Sequence, residues 1–425
     1  MPEQTHPRAD ALPSLKEAAW LKTHEMARVF AALSGDDVET RAVGGAVRNA
    51  LLGLPVTEVD LATTALPDTV MALARKAKLK AIPTGKEHGT VTVVANGVAF
   101  EVTTLRRDVE TFGRHAKVAF TKDWTEDAQR RDFTLNALYV GSDGTVLDPL
   151  GGYADLKAGR VRFIGNPQAR IEEDYLRILR FFRFNAYYGK EPLDAAGLAA
   201  CVRLRAGLAQ LSAERIAAEL KRILVAPQAI AAVEALFDYG LLTVVLEAAP
   251  RLARFENLIA VEAALARPAN PALRLAALAM FVAEDASRLA ARFKLSNAEQ
   301  AILALGADET LDRALPDEAA AKRLLYRLGP DAYVSQGLLA WAASGAKPDN
   351  ADWQRALTLP ERWQTPEFPV RGPDVISACN VEGPAVGEIL RQLEADWIAG
   401  GFASSRDDLL SSAVKLSQKS PKQDR

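Results

Sequence analysis

The segment that most constrains the fold runs from Arg41 to Thr64, with the sequence RAVGGAVRNALLGLPVTEVDLATT. A short strand is predicted to end just before Gly44 and Gly45, which let the backbone turn tightly, and a helix is predicted over Ala46 to Leu52. The first N–H groups of such a helix favour an anion, and Arg48 lies one turn in. The segment therefore predicts a strand, a turn and a helix that bind a phosphate group.

Two acids, Glu58 and Asp60, follow a turn at Pro55. Alternation from Glu58 to Leu61 places both acids on one face of a predicted strand. Two carboxylates beside a phosphate-sized turn favour Mg²⁺ that holds a triphosphate. Glu58 and Asp60 are therefore candidate catalytic residues and metal ligands. The alternative is an ordinary strand whose solvated face carries two acids.

In this order and spacing, these features resemble the nucleotidyltransferase head of the class II tRNA CCA-adding enzyme and bacterial poly(A) polymerase family. The pattern of that family is GG-x-VRD-x-LLG followed by D-x-D. The chain departs from it at Asn49 and at Glu58, where the family usually has aspartate. Glutamate keeps the charge but is one methylene longer, which changes the geometry of a metal site.

The resemblance implies an α+β chain. A polymerase-β-like head with a mixed sheet and helices would be followed by an all-α neck, body and tail. It also implies that Gly44, Gly45 and Arg48 hold the triphosphate of a bound nucleotide.

Two further strands are predicted downstream of this segment. They cover Gly85 to Val94 and Val98 to Thr104, rich in β-branched residues, and Asn96-Gly97 between them is typical of a hairpin turn. Glu101 interrupts the apolar residues of the second strand. The resemblance makes Glu101 a third catalytic carboxylate, and a surface acid on an edge strand is the alternative.

The second specific match is RRDFTLNAL, from Arg130 to Leu138. It equals the RRDFT-x-NA motif of the family, which the resemblance assigns to the ribose and triphosphate. Arg131 can donate a bidentate pair to phosphate, and Asp132 can accept from a ribose hydroxyl. A solvated charge cluster is the alternative for these residues alone, and Asn136 at the expected offset favours the motif.

The third specific match is EDYLRILRFFR, from Glu173 to Arg183, where the family has the ED-x-x-R nucleotide-selecting motif. On a single helix, Asp174 and Arg177 would be neighbours, with Arg180 and Arg183 turning away from them. The resemblance makes Asp174 and Arg177 the groups that read the base. Arg180 and Arg183 are candidates for triphosphate or primer contacts. An ordinary ion pair between positions i and i+3 is the alternative for Asp174 and Arg177.

The chemistry of the bases explains what an acid and an arginine could select. Cytosine and adenine offer an amino donor beside a ring-nitrogen acceptor, whereas uracil and guanine present the reverse order. A fixed aspartate acceptor beside a fixed arginine donor would accept cytosine and adenine and leave buried groups unpaired with the other two. Protein side chains would then replace a nucleic-acid template.

Two more segments match the family. DPLGGYADL, from Asp148 to Leu156, has the residues of a turn, and the resemblance makes it a flexible element between head and neck. SAERIAAELKRIL, from Ser212 to Leu224, is a predicted amphipathic helix with an N-cap serine. In the family this helix braces the neck, so we expect Glu214, Arg215 and Glu219 to be structural.

The net charge of the 425-residue chain is −2, which excludes uniform electrostatic attraction to RNA. Any binding of RNA must therefore come from local basic patches, such as Arg106-Arg107, the arginines that follow Asp174, or a weakly basic tail. The lysines and arginine of that tail are Lys415, Lys419, Lys422 and Arg425.

Composition bounds the class of protein. No apolar stretch is long enough to span a bilayer, and Met1 to Ser14 lack the apolar core of a signal peptide. Cys201 and Cys379 are far apart, which favours neither a disulfide framework nor a zinc site. We therefore expect a cytoplasmic protein without a membrane partner.

The second half of the sequence has helical patterns broken by Pro and Gly. The resemblance extends from about Arg41 to Trp397, densely in the first half and sparsely in the second. We expect five parts: an N-terminal extension over 1–24, a nucleotidyltransferase head over 25–150, a helical neck over 151–225, a helical body over 226–345, and a helical tail over 346–425 with a disordered C-terminus.

The function expected from the residues and the resemblance is template-independent addition of CMP and AMP to the 3′ end of tRNA. The partners would be tRNA, ATP and CTP, and the cofactor would be Mg²⁺ on Glu58 and Asp60. Three alternatives stay open: a poly(A) polymerase, an A-adding half-enzyme, and an inactive RNA-binding relative. The sequence leaves the oligomeric state open.

Overall fold

The structure is a computed structural model that describes residues 12–35, 37–112, 115–190, 192–307 and 317–419. The chain divides into two compact units, Met1–Ala248 and Ala249–Arg425. Much of the expected N-terminal extension, and the end of the expected tail with Lys422 and Arg425, lie outside the described residues. The five expected parts with their boundaries stay a prediction.

The first unit contains all the strands of the described chain. They are β1 (Thr40–Val43), β2 (Asp60–Thr63), β3 (Lys80–Gly85), β4 (Thr90–Ala95), β5 (Val98–Thr104), β6 (Arg106–Phe112), β7 (His115–Phe120), β8 (Tyr139–Val140) and β9 (Val146–Leu147). Seven of these form one sheet in the order β3-β4-β5-β2-β1-β8-β9, and β6 pairs with β7 in a separate ribbon.

The large sheet is mixed, because β2 and β5 are parallel while the other neighbouring pairs are antiparallel. The parallel pairing places Asp60 directly opposite Glu101. Leu61 and Val102, the next residues, are fully buried on the other face. The pairing therefore puts two acids side by side on the face away from those apolar residues.

The hairpin prediction is confirmed, because Asn96 and Gly97 have φ of 49° and 85° between β4 and β5. Both angles are positive, as a two-residue hairpin turn that matches strand twist requires. The strand predicted to begin at Gly85 is wrong in its first part. Gly85 ends β3, a 3₁₀ turn covers Lys86–His88, and β4 begins at Thr90.

Helices make up the rest of both units. In the first unit they are α1 (His24–Leu33), α2 (Gly45–Leu51), α3 (Pro67–Lys76), α4 (Trp124–Gln129), α5 (Gly152–Ala158), α6 (Pro167–Glu173), α7 (Leu176–Tyr188), α8 (Ala195–Arg203), α9 (Ala213–Leu224), α10 (Ala229–Asp238) and α11 (Leu242–Leu246). In the second unit they are α12 (Leu252–Ala264), α13 (Pro271–Ala279), α14 (Glu284–Phe293), α15 (Asn297–Ala304), α16 (Glu318–Leu328), α17 (Pro330–Ser344), α18 (Ala351–Leu357), α19 (Leu359–Arg362), α20 (Gly372–Cys379), α21 (Pro384–Ala399) and α22 (Arg406–Lys419).

From Gly152 onward the named elements of the described chain are helices, so the predicted all-α second part is confirmed. The predicted class, α+β with a mixed sheet in the head, is confirmed as well. No helix among the described residues has the length and apolar character needed to cross a bilayer.

The helix predicted to run without a break through Asp174 is wrong. α6 ends at Glu173, and Asp174 is extended, with φ −157° and ψ 106°. The Asp174 carboxylate accepts a hydrogen bond from Leu176 N at 3.1 Å, and its carbonyl accepts from Arg177 N. An aspartate that accepts from the first N–H groups of a helix favours a new helix start, so α7 begins where the periodicity predicted continuity.

An aromatic cluster fixes α7 against the segment that follows α4. Phe133 lies 4.8 Å from Phe163 and 5.1 Å from Phe184 between ring centroids. Phe163 stacks on Phe181 at 5.6 Å. Such aromatic contacts add to the free energy of burial, so the arginines of α7 have a rigid position relative to the RRDFTLNAL segment.

Gly152 at the start of α5 allows close packing on the 3₁₀ turn Thr134–Asn136. A Cβ atom at Gly152 would lie 2.1 Å from the Thr134 carbonyl oxygen and 2.7 Å from its carbon. We expect Gly152→Ala to lower the free energy of unfolding of the first unit by about 1–3 kcal/mol. Urea-induced unfolding measures this change. Gly35→Ala, where nothing lies within 4 Å of the added Cβ, is the matched control. Equal midpoints for both variants would contradict the packing argument.

Candidate active site

A cleft of about 470 Å³ in the first unit brings together most of the predicted site residues. Those that line it are Gly44, Gly45, Arg48, Asp60, Arg131, Asp132, Asp174, Arg177 and Arg180. Glu58, Glu101 and Arg183 are not among its lining residues. Residues from the sheet, the RRDFTLNAL segment and α7 thus line the same cleft, although Gly44 and Arg180 are 136 positions apart in the sequence.

Gly44 makes the tight turn that leads from β1 into α2. Its φ of 71° lies in the left-handed region, and its N–H donates to the Leu138 carbonyl. A Cβ atom there would lie 3.6 Å from the Asn136 carbonyl oxygen and 3.9 Å from Arg131 Nη1. The predicted turn is therefore present, and it brings the backbone close to the arginine predicted to hold phosphate.

Arg48 is buried, and its guanidinium contacts several protein groups. Nη1 donates to Asn136 Oδ1 at 2.6 Å, and Nη2 donates to Tyr188 Oη at 2.7 Å. The guanidinium carbon lies 4.1 Å from the centroid of the Tyr188 ring. Burial lowers the pKa of Arg48, and Tyr188 opposes that shift. Arg48 therefore joins α2 to the end of α7, and its predicted contact with phosphate stays a prediction.

Asp60 is the first residue of β2, and Glu58 precedes the strand instead of lying on it. Asp60 is solvent-accessible, yet neighbouring protein atoms remove part of its carboxyl from water. This desolvation and the nearby Glu101 carboxylate raise the pKa of Asp60, Arg131 opposes the shift, and Glu58 adds to it. Glu101 lies on an interior strand of the sheet, so its interpretation as an edge-strand acid is wrong.

The carboxylates fit a divalent cation through their chemistry. The carboxylates of Glu101 and Glu58 repel the charge of Asp60, and a bound cation would relieve this repulsion. Within the described ranges, no group of three or more His, Cys, Asp or Glu that could hold a metal ion is found. Mg²⁺ commonly uses only one or two protein carboxylates together with phosphate oxygens and water. The donor set therefore fits a cation that arrives with a nucleotide.

Arg131 is held by Asp127, a residue that the sequence analysis missed. Asp127 Oδ2 accepts from Arg131 Nη2 at 2.9 Å and from Tyr139 Oη at 2.9 Å, while Oδ1 accepts from Arg130 Nε at 2.7 Å. Burial opposes the charge of Asp127, but the two arginines hold its pKa below the usual range. Asp127 lies on α4, three positions before Arg130 and four before Arg131. Such spacings are typical of ion pairs along a helix.

Asp132 is a buried acceptor between the head and α7. It accepts from Asn136 Nδ2 at 2.9 Å, from Phe133 N at 2.8 Å and from Arg180 Nε at 2.8 Å. Burial opposes ionisation, but Arg180 and these hydrogen bonds lower the pKa of Asp132 to about 2. The carboxylate predicted to accept from a ribose is therefore ionised and already bonded to α7.

Arg177 pairs with Glu173 instead of with Asp174, so the alternative of an ordinary ion pair between positions i and i+3 is wrong. Its Nη1 donates to a carboxylate oxygen of Glu173 and, at 2.6 Å, to the Arg170 carbonyl. Arg170 in turn donates to the carbonyls of Arg130 and Arg131. Arg177 is thereby connected to the RRDFTLNAL segment through Arg170.

Asp174 accepts from Arg215 of α9, with Nη2 and Oδ2 2.6 Å apart. Arg215 also lines the cleft. The expectation that Arg215 is only a structural brace therefore misses its position at the site. No local pattern reveals this contact, because 41 positions separate the two residues.

Arg183 points to a different neighbour. Its Nε donates to Glu219 Oε2 at 2.5 Å, and its guanidinium carbon lies 4.4 Å from the Phe184 ring centroid. Burial lowers the pKa of Arg183, and Glu219 opposes the shift. Arg183 therefore lies outside the lining of the cleft, next to Arg180, which contacts the same Glu219 at 3.8 Å, and Glu219 has the bracing position expected for it.

Comparison with known proteins gives two family matches. The model of the poly A polymerase head domain matches residues 40–162, and that of a probable RNA- and SrmB-binding site of polymerase A matches residues 193–254. The chain is 35% identical over 384 residues to the mitochondrial CCA tRNA nucleotidyltransferase 1 of Mus musculus, covering 88% of this chain and 86% of that protein. It is 32% identical over 389 residues to the CCA-adding enzyme of Lacticaseibacillus paracasei, covering 89% and 93%.

A solved structure has the same fold. The crystal structure of the Bacillus stearothermophilus CCA-adding enzyme in complex with CTP matches with a TM-score of 0.73 and 29% identity. The match covers 93% of this chain and 97% of that one. The mouse relative is named as mitochondrial, so the predicted cytoplasmic location stays a prediction.

Removing the charge of Asp127 leaves Arg131 without its buried partner. We expect Asp127→Asn to lower the free energy of unfolding by about 3 kcal/mol, because an uncompensated buried charge is costly. Urea-induced unfolding measures the change. Glu126→Gln, one position away, is the matched control and is expected to unfold like the wild type. An unchanged midpoint for Asp127→Asn would show that the ion pairs contribute little.

The raised pKa of Asp60 predicts that its charge lowers stability in the absence of a cation. The folded state takes up the proton at a higher pH than the unfolded state, so stability is gained as pH falls through the folded pKa. We expect Asp60→Asn to raise the unfolding temperature at neutral pH in a chelating buffer.

Mg²⁺ is then expected to stabilise the wild type more than the Asp60→Asn variant, because the cation relieves the repulsion among the acids. Asp68→Asn is the control, since Asp68 is an exposed acid paired with Lys86. A lower unfolding temperature for Asp60→Asn in the chelating buffer would contradict the argument.

Proposed function

The chain belongs to the CCA tRNA nucleotidyltransferase family, and on that premise we propose that it adds CMP and AMP to the 3′ end of tRNA without a template. The observation that carries this proposal is the cleft that holds Asp60, Asp132, Asp174 and Arg177 together. A metal-binding acid, a ribose acceptor and a base-reading pair are the parts that such a reaction needs.

In the proposed site, Asp60, with Glu58 and Glu101 nearby, would hold Mg²⁺. When bound, the cation supplies charge neutralisation at the triphosphate and polarises its α-phosphorus. The RNA 3′-hydroxyl attacks that phosphorus, a new phosphodiester bond forms, and pyrophosphate leaves. Glu58 lies before β2, so strand geometry does not fix its position relative to Asp60. Its side chain, one methylene longer than that of aspartate, would have to extend toward the cation.

The arginines of the cleft would orient the triphosphate. Arg131 is fixed by Asp127 and Tyr139, and its Nη1 lies near the Gly44 turn. Because protein contacts fix its guanidinium, Arg131 needs little reorientation when a phosphate binds. Gly44, Gly45 and Arg48 complete the predicted triphosphate site, and Asp132 is the predicted ribose acceptor.

Base selection would come from Asp174 and Arg177. Asp174 is an acceptor and Arg177 a donor at the same cleft, although each is bonded to a different neighbour. A carboxylate has about four lone-pair sites and a guanidinium has five N–H donors, so both retain capacity for a base. Cytosine and adenine satisfy this arrangement, while uracil and guanine leave buried groups unpaired.

The test uses the full chain, tRNA that lacks its terminal CCA, Mg²⁺, and each labelled nucleotide alone and in combination. We expect three added residues, with CTP required before ATP. Long A tracts would indicate a poly(A) polymerase, and a single A on tRNA that already ends in CC would indicate an A-adding half-enzyme. No incorporation would indicate an inactive RNA-binding relative.

Variants assign the roles. Asp60→Ala is expected to lower incorporation of every nucleotide by roughly 10³-fold or more, because the cation loses its ligand. Asp68→Ala, an exposed acid outside the cleft, is the control and is expected to keep full activity. Near-normal activity of Asp60→Ala would contradict the metal assignment.

A further inference from the structure

We propose that Arg215, near the start of α9, is a positioning residue that fixes the carboxylate of Asp174 and thereby sets which nucleobases the cleft accepts. This inference rests on the proposed function and deepens it. The observation behind it is the Arg215 to Asp174 ion pair, which lies at the lining of the cleft itself.

Both oxygens of Asp174 have a partner that fixes their direction. Oδ2 accepts from Arg215 Nη2 at 2.6 Å, and Oδ1 accepts from Leu176 N at 3.1 Å. The side chains of Asp174 and Arg215 remain only 22% and 18% exposed. Asp174 lies between α6 and α7, and its carbonyl accepts from Arg177 N, but that backbone contact does not set the direction of the carboxylate. The arginine therefore supplies much of the orientation that a base-reading carboxylate needs.

Arg215 is itself firmly held, because α9 is anchored on its other face. Ile216 and Leu220 are fully buried, and Glu219, one turn after Arg215, pairs with Arg183 of α7. Side chains four positions apart lie on the same helix face. The charged face of α9 is therefore turned toward the arginines of α7 and toward the cleft, which gives Arg215 a defined direction.

The two residues of this ion pair also line two cavities. Asp174 and Arg215 line both the cleft of about 470 Å³ and a neighbouring cavity of about 350 Å³. The second cavity is bounded further by Glu172, Tyr175 and Ser212, among others. Shortening Arg215 would remove part of the lining of the cleft, so a base there would lose both an oriented acceptor and a neighbouring side chain.

Selection should depend on this orientation more than on the presence of the carboxylate. With Arg215 in place, Asp174 faces cytosine or adenine as an acceptor and meets uracil or guanine with an unsatisfied contact. Without Arg215, the carboxylate can rotate away. The correct bases then lose a hydrogen bond, and the incorrect bases escape their penalty.

The test measures equilibrium binding of CTP and of UTP, with Mg²⁺, to the full-length wild type and to Arg215→Met. We expect the preference for CTP over UTP to fall by about 10- to 100-fold, mainly through weaker CTP binding. Arg215→Lys keeps the charge and should recover part of the preference. Arg222→Met is the matched control, since Arg222 lies on the same helix, is 60% exposed and contacts Glu219 only at 3.9 Å.

A double-mutant cycle separates positioning from bracing. In an Asp174→Ala background, Arg215→Met should cause no further loss of the CTP preference, because Arg215 acts through that carboxylate. The same loss in both backgrounds would overturn the inference. So would an equal weakening of CTP and UTP binding by Arg215→Met, which a general brace would produce.

Binding and catalysis fail in distinguishable ways. A wild type that prefers CTP and loses the preference with Arg215→Met, but adds nothing to tRNA, would overturn the proposed function and support the role of Arg215. A wild type that adds CCA while Arg215→Met keeps the full CTP preference would overturn the role of Arg215 and leave the function intact. If Arg215→Met does not fold, Arg215→Lys decides between these outcomes by the same measurement.

Discussion

The buried Asp132 carboxylate is the interaction on which the geometry of the cleft depends. It accepts from Asn136, which also accepts from Arg48 on α2, and from Arg180 on α7. One acid therefore connects the Gly44 turn with the helix that carries Arg177. Because its pKa is about 2, the carboxylate is ionised throughout the neutral range, and these charged contacts persist there.

The local parts of this arrangement could be predicted from the sequence. Two glycines before an apolar helical pattern predicted the turn into α2, and Asn96-Gly97 predicted the hairpin, because both depend on neighbours in sequence. The pairing of Asp60 with Glu101 could not be predicted from neighbours in sequence alone. It arises from a parallel pairing of two strands about 40 positions apart, and the residues alone left Glu101 open between a site acid and an edge-strand acid.

The partners of the charged residues were harder to predict, because several spacings are equally compatible with a helix. Arg177 could pair with Asp174 three positions before it or with Glu173 four positions before it, and the break in the helix at Asp174 decides for Glu173. Tyr188 and Arg215 reach the site from 140 and 41 positions away from their partners. Nothing in the local sequence distinguishes them from surface residues of their helices.

The pairing of charges explains how a chain with a net charge of −2 could hold a triphosphate. Four arginines of the cleft each have a carboxylate partner: Arg131 with Asp127, Arg177 with Glu173, Arg180 with Asp132, and Arg215 with Asp174. Paired arginines add little net attraction at a distance, but their acids fix the direction of each guanidinium. A ligand would therefore be recognised by the match between its groups and these fixed donors, which favours selectivity among nucleotides over general affinity for anions.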